Sequence, residues 1–139
     1  MAEKKTVSFL GRLYSRYCLY WLPRLSGVLY IKFFRLAYPG FKMGLRPRIW
    51  GRFFVRIFEG GRLEVGDDFI LVSDPKRAGI TLYNRGQFTV FPGAVIKIGN
   101  HVGLSGTAIT SKCNVEIGNE TIIGPNVVIL DSDFHNILP

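Results

Sequence analysis

The sequence is short of cysteine and histidine. It holds two of each in 139 residues: Cys18 and Cys113, His101 and His135. Two thiols make no disulfide framework, and no signal-peptide cleavage pattern precedes them, so free thiols in a cytoplasmic chain are expected. Acids are scarce in the first half. Residues 1–62 carry thirteen Lys/Arg against Glu3 and Glu59 alone, a net +11, whereas residues 63–139 are net −3, together the formal +8. That division points to two functional halves, the first with an acidic partner. Long hydrophobic runs are lacking too. Between residues 7 and 41 the longest uncharged runs are Tyr17 to Pro23 and Leu25 to Ile31. A helix that crosses a bilayer needs roughly 17–25 mainly apolar residues, so a single span is not expected. Apolar residues at 47% and aromatics at 14% exclude a disordered chain.

What is present in the first third is a basic, aromatic, helix-forming stretch. Pro23 interrupts it, which predicts two helices over about 7–22 and 24–37. Arg12 and Arg16 share one face, as do Arg24 and Lys32, while Leu10, Leu13, Tyr14, Tyr17 and Trp21 line another at helical spacing. A basic amphipathic helix with Trp and Tyr at its margins suits an anionic membrane surface, so residues 7–37 are expected to make peripheral membrane contact. The alternatives are a helix pair packed on the rest of the fold, its Arg stems covering apolar surface, and nucleic acid, for which no recognisable module is present. No nucleic-acid partner is expected.

The second half repeats itself. "LEVGDDF" (63–69), "IKIGNHV" (96–102) and "VEIGNET" (115–121) each place Gly and then Asp or Asn after an aliphatic–charged–aliphatic triplet. A six-residue beat runs through Ile98, Leu104 and Thr110, and again through Ile117, Ile123 and Ile129, with one insertion near 112–115. Compact residues follow four places on, at Val102, Ala108, Thr121 and Val127. This is the hexapeptide β-helix signature: short strands joined at Gly/Asx corners, three to a triangular coil, stacking a continuous aliphatic interior. The predicted fold is mainly β, a left-handed parallel β-helix over residues 51–139 with a helical extension over residues 1–50. Residues 51–95 keep the beat poorly, and "VSDPKRAGITLYNRGQF" reads as a loop or irregular corners.

"IGNETIIGPNVVILDSDFH" resembles the hexapeptide-repeat acyltransferases, chiefly sugar O-acetyltransferases of the maltose/galactoside type and polysaccharide or lipopolysaccharide O-acetyltransferases. The likeness covers residues 95–139 well and 60–94 loosely. It implies acetyl-CoA as co-substrate, a saccharide acceptor, free or lipid-linked, in surface glycan biosynthesis, a homotrimer with sites between subunits, and a place in the cytoplasm at the inner membrane face. It also implies a chain truncated at the C-terminus, because the family's donor-binding coils lie beyond the catalytic histidine. The residues that would hold acetyl-CoA are unassigned.

The resemblance makes His135 the catalytic base, and the chemistry agrees. A sugar hydroxyl is a weak acid, so its attack on a thioester needs a proton acceptor with a pKa near 6.5. On an extended chain Asp131, Asp133 and His135 alternate onto one side. Asp133 is the expected partner of the imidazole. Asp131 and Ser105 are expected to contact the acceptor. Other readings remain: a metal site, although two histidines do not make the three-histidine site of β-helix carbonic anhydrases; a covalent mechanism through Cys113 or Ser105; and a non-catalytic β-helix module that binds a membrane or a protein. No metal is expected, and His101 should be an exposed corner residue.

Overall fold

The computed structural model describes residues 9–17, 21–79 and 81–133; the expectations for Cys18 and His135 lie outside them. Two helices come first, α1 (Phe9–Arg16) and α2 (Leu22–Ala37). Pro23 sits in the first turn of α2, where its missing N–H removes no intrahelical bond, so it opens the helix. At the other end Arg35 satisfies the backbone beyond the last turn, its Nη2 donating to the Met43 carbonyl at 2.7 Å.

Twelve short strands follow among the described residues: β1 (Phe41–Met43), β2 (Arg48–Trp50), β3 (Phe54–Ile57), β4 (Arg62–Val65), β5 (Ile70–Val72), β6 (Gln87–Val90), β7 (Val95–Ile98), β8 (Gly103–Ser105), β9 (Ala108–Ser111), β10 (Asn114–Ile117), β11 (Ile122–Pro125) and β12 (Val128–Leu130). They pair in parallel as three sheets, β1-β4-β7-β10, β2-β5-β8-β11 and β3-β6-β9-β12. Each third strand returns to the same sheet, so the chain is mainly β and consistent with a parallel β-helix of four coils. Residues 41–50 supply the first two of these strands, so the sheets start ahead of the boundary read at residue 50.

Register stacks like on like. Phe41, Leu63, Ile96 and Val115 form one interior column, and Met43, Val65, Ile98 and Ile117 a second. Ile49, Leu71, Leu104 and Ile123 form a third. Most of these side chains are buried, each stabilising the fold by about 1.5–3 kcal/mol. The six-residue beat fails once. Thr110 does not point inward; Ile109 does, fully buried, and Thr107 rather than Ala108 is the compact buried residue before it. The step from Leu104 to Ile109 is five residues, one short of the beat.

The corners between the first two sheets explain the repeat. Arg46, Asp68, His101 and Glu120 occupy the left-handed region, with φ between 54° and 57°. The Asx before three of them braces the coil beneath. Asp67 Oδ1 accepts from Leu45 N (2.7 Å), Asn100 Oδ1 from Asp67 N (2.8 Å) and Asn119 Oδ1 from Asn100 N (2.8 Å). Two of the preceding glycines, Gly66 and Gly99, leave no room for a side chain. A Cβ on Gly66 would lie 2.5 Å from Asn100 Oδ1, and one on Gly99 2.5 Å from Asn119 Oδ1.

Two elements depart from the coil. Residues 73–79 and 81–86 belong to the loop foreseen in that stretch, with a one-turn helix α3 (Pro75–Ala78) capped by Asp74. Asn126 ties the loop to the fourth coil: its Oδ1 accepts from Tyr83 N (2.7 Å), and its Nδ2 donates to Thr81 O (3.0 Å). Helix α2 lies across the open end of the first coil. Gly27 allows it to touch β2, since a Cβ there would meet the Ile49 carbonyl at 2.6 Å. Phe34 packs edge-on against Phe41 and Phe53, and Tyr30 leans on Phe53. A solenoid end exposes its apolar interior unless something covers it, and α2 does so here.

Candidate functional site

The "DSDFH" segment begins where β12 ends, at the corner leading from the third sheet back to the first. Below it the same corner is built by residues 58–61, 91–94 and 112–113 in successive coils. Phe58 and Phe91 stack with centroids 5.4 Å apart, and Lys112 Nζ lies 5.7 Å from the Phe91 centroid. β12 pairs with β9 through Leu130 and Thr110, so the next residue, Asp131, falls beside Ser111.

Asp131 is drawn into the protein there. Its Oδ1 accepts from Lys112 N (2.7 Å), and its Oδ2 from Cys113 N (2.8 Å) and Ser111 Oγ (2.6 Å). Partial burial opposes its ionisation. The N–H groups of Lys112, Cys113 and Asn114 and the Ser111 hydroxyl outweigh that, and hold its pKa below the usual carboxylate value. Asp131 is therefore an anchor between coils. Its oxygens accept from the 111–113 segment at the corner of the coil beneath.

Asp133, two residues on, is exposed. His135 lies among residues 134–139, outside the described residues. Ser105 closes β8 in the second sheet and leads into the Gly106 corner, so it and Asp131 sit at different corners of the triangle. His101 is the expected exposed corner residue, its Nδ1 3.7 Å from Asp68 Oδ2. Asp68 also takes a two-pronged contact from Arg46, Nε at 2.9 Å and Nη2 at 2.6 Å, and that guanidinium lowers its pKa. Cys113 is an exposed free thiol. Among the described residues no three His, Cys, Asp or Glu side chains converge on a point.

No family model, curated protein or solved structure matches the chain. The geometry is thus the guide to the site. Sequence reasoning missed Ser111, Lys112 and Cys113, which hold Asp131. The available signal was spacing: Ser111 lies twenty residues before Asp131, the same step that pairs Ile109 with Ile129. It also missed a concavity of about 340 Å³ lined by Ser26, Arg52, Asp74, Lys76 and Arg85. This basic hollow lies between α2 and the 73–86 loop, at a different corner from Asp131. Its chemistry suits an anion.

Proposed function

We propose that the protein is an acyltransferase of the left-handed hexapeptide-repeat type, moving an acetyl group from acetyl-CoA to a saccharide hydroxyl with His135 as general base. The observation that carries this reading is the Asp131 anchor. Three hydrogen bonds pin the start of "DSDFH" to the coil beneath, and catalytic side chains need such a rigid support. Three parallel sheets stacked from Gly/Asx-cornered coils support the same reading.

The chemistry balances without a covalent enzyme intermediate. His135 takes the hydroxyl proton as the acceptor oxygen attacks the thioester carbonyl, and a carboxylate such as Asp133 steadies the imidazolium. Collapse of the tetrahedral intermediate breaks the C–S bond. The CoA thiolate leaves and takes the proton from the imidazolium. A homotrimer with sites shared between subunits belongs to the same proposal.

The test is His135→Ala. Acetyl transfer to the acceptor should be lost while the circular dichroism spectrum and denaturation midpoint stay as in the parent. Undiminished turnover refutes the assignment. Absence of transfer to any saccharide in the parent favours the non-catalytic module instead.

A further inference from the structure

Helix α2 has two apolar faces, and the sheets cover only one of them. Gly27, Ile31 and Phe34 are buried against the first coil. Leu22, Leu25, Leu29, Phe33 and Leu36 follow one another at three- and four-residue steps along the other side and are exposed, Leu36 by 88%. Leu10, Leu13, Tyr14 and Tyr17 of the α1 region are exposed as well. A contiguous apolar stripe of this length marks a docking surface.

Charge selects the occupant. Lys32 stands within the stripe and is exposed, with Arg24 and Arg35 on the same helix, and α2 contains no acid. From Lys4 to Phe58 the chain has twelve basic residues and no acidic one. A second copy docking face to face would set Lys32 against Lys32 with no carboxylate on either helix to compensate. An anionic bilayer supplies both partners that the face requires: hydrocarbon for the leucines, and phosphate for Lys32, whose stem can follow the apolar surface while its ammonium reaches the headgroups. The helix lies on the membrane rather than through it. Among the described residues no helix is long and apolar enough to cross.

We infer that the outer face of α2, with the exposed apolar residues of α1, seats the protein on an anionic phospholipid surface, with the coils standing off from it on the other face of α2. The basic hollow fits this placement. Ser26 in its lining is one residue, about 100°, around the helix from Leu25, at the margin of the exposed stripe. Arg52, Lys76 and Arg85 therefore gather beside the face that would meet headgroups. The inference does not depend on acyl transfer.

The experiment is co-sedimentation of the full chain with vesicles of phosphatidylcholine alone or mixed with phosphatidylglycerol. Binding should require phosphatidylglycerol, weaken as salt rises, and shift the emission of exposed Trp21 to the blue. Leu29→Ser with Phe33→Ser should lower partitioning about tenfold or more, since each side chain loses apolar burial. Lys32→Glu should lower it about fivefold. All three positions are exposed, so circular dichroism and denaturation midpoints should stay unchanged. No binding to mixed vesicles at low salt, or equal binding by the Leu29/Phe33 variant, overturns the inference. So does a concentration-dependent oligomer that this variant dissociates, which would give the face to a second copy.

Discussion

Gly99 and Gly118 occupy equivalent corners of neighbouring coils and differ in what lies above them. Replacing Gly99 by alanine would put a methyl group 2.5 Å from Asn119 Oδ1, 2.8 Å from Asn119 N and 2.9 Å from the Gly118 carbonyl carbon. Ordinary carbon contacts fall near 3.5–4.0 Å, so the coils must separate by about 1 Å there. The bond from Gly99 N to Ile117 O, now 2.9 Å, and that from Asn100 N to Asn119 Oδ1, 2.8 Å, would stretch past useful length. Overpacking costs about 1–3 kcal/mol, and a weakened hydrogen bond about 0.5–1.5 kcal/mol. Gly99→Ala should therefore destabilise by about 2–4 kcal/mol. Gly118 has nothing within 4 Å of its virtual Cβ among the described residues, and its φ is not positive. Gly118→Ala should be neutral or stabilise by up to about 1 kcal/mol through the unfolded chain. Urea denaturation of the two variants of the 139-residue chain, compared at equal m-values, measures the gap. Equal midpoints, or a greater loss at Gly118, would refute the reasoning that the glycines exist to let coils stack.

Asp131→Asn should weaken the fold at neutral pH, because an amide nitrogen cannot accept from Ser111 or Cys113. Asp131's folded pKa is lowered, so its contribution is present above the unfolded value of about 3.8 and is lost as pH falls through the folded value. Denaturation midpoints followed from about pH 6 to about pH 2 should show the gap between parent and variant closing in acid; a constant gap contradicts the anchor role. Gly27→Leu should unseat α2, since its Cβ alone meets the Ile49 carbonyl at 2.6 Å, and raise binding of a hydrophobic dye at the uncovered Phe53 end. Unchanged dye binding would mean that α2 is not the cover. Asn126→Ala should speed amide exchange at Tyr83 and Asn84 without altering β6 or β9, because only the loop loses its tie.

Much of the coil was legible because the Gly/Asx corner has a fixed local geometry. "VGDD" and "IGNH" each supply a glycine that another coil presses on, and with "IGNE" they supply the Asx that braces the coil below. The first coil escaped notice for the same reason. "MGLR" has Leu45 at the Asx position, and among the described residues no earlier coil stands beneath it for an Asx to brace. The Thr110 error arose from counting a uniform beat. Coils are held by strand register, and the corners absorb the difference: Leu104 to Ile109 is five residues, whereas Ile123 to Ile129, their register partners, is six. The anchoring of Asp131 was not legible in one dimension. Its partners lie eighteen to twenty residues away, a separation visible only once the coils are stacked. The stripe on α2 was partly legible as amphipathic; its second apolar face was hidden, because which leucines pack on the first coil depends on Gly27 meeting Ile49.

The most direct test is transfer itself. Radiolabelled acetyl-CoA should be incubated with the protein and a panel of saccharide acceptors, and label recovered in the saccharide measured for the parent, His135→Ala and Asp133→Asn. The account predicts acceptor-dependent label in the parent, none above background in His135→Ala, and a reduced rate in Asp133→Asn. Label transfer that persists at the parent rate without His135, or no transfer to any saccharide by the folded parent, would contradict it.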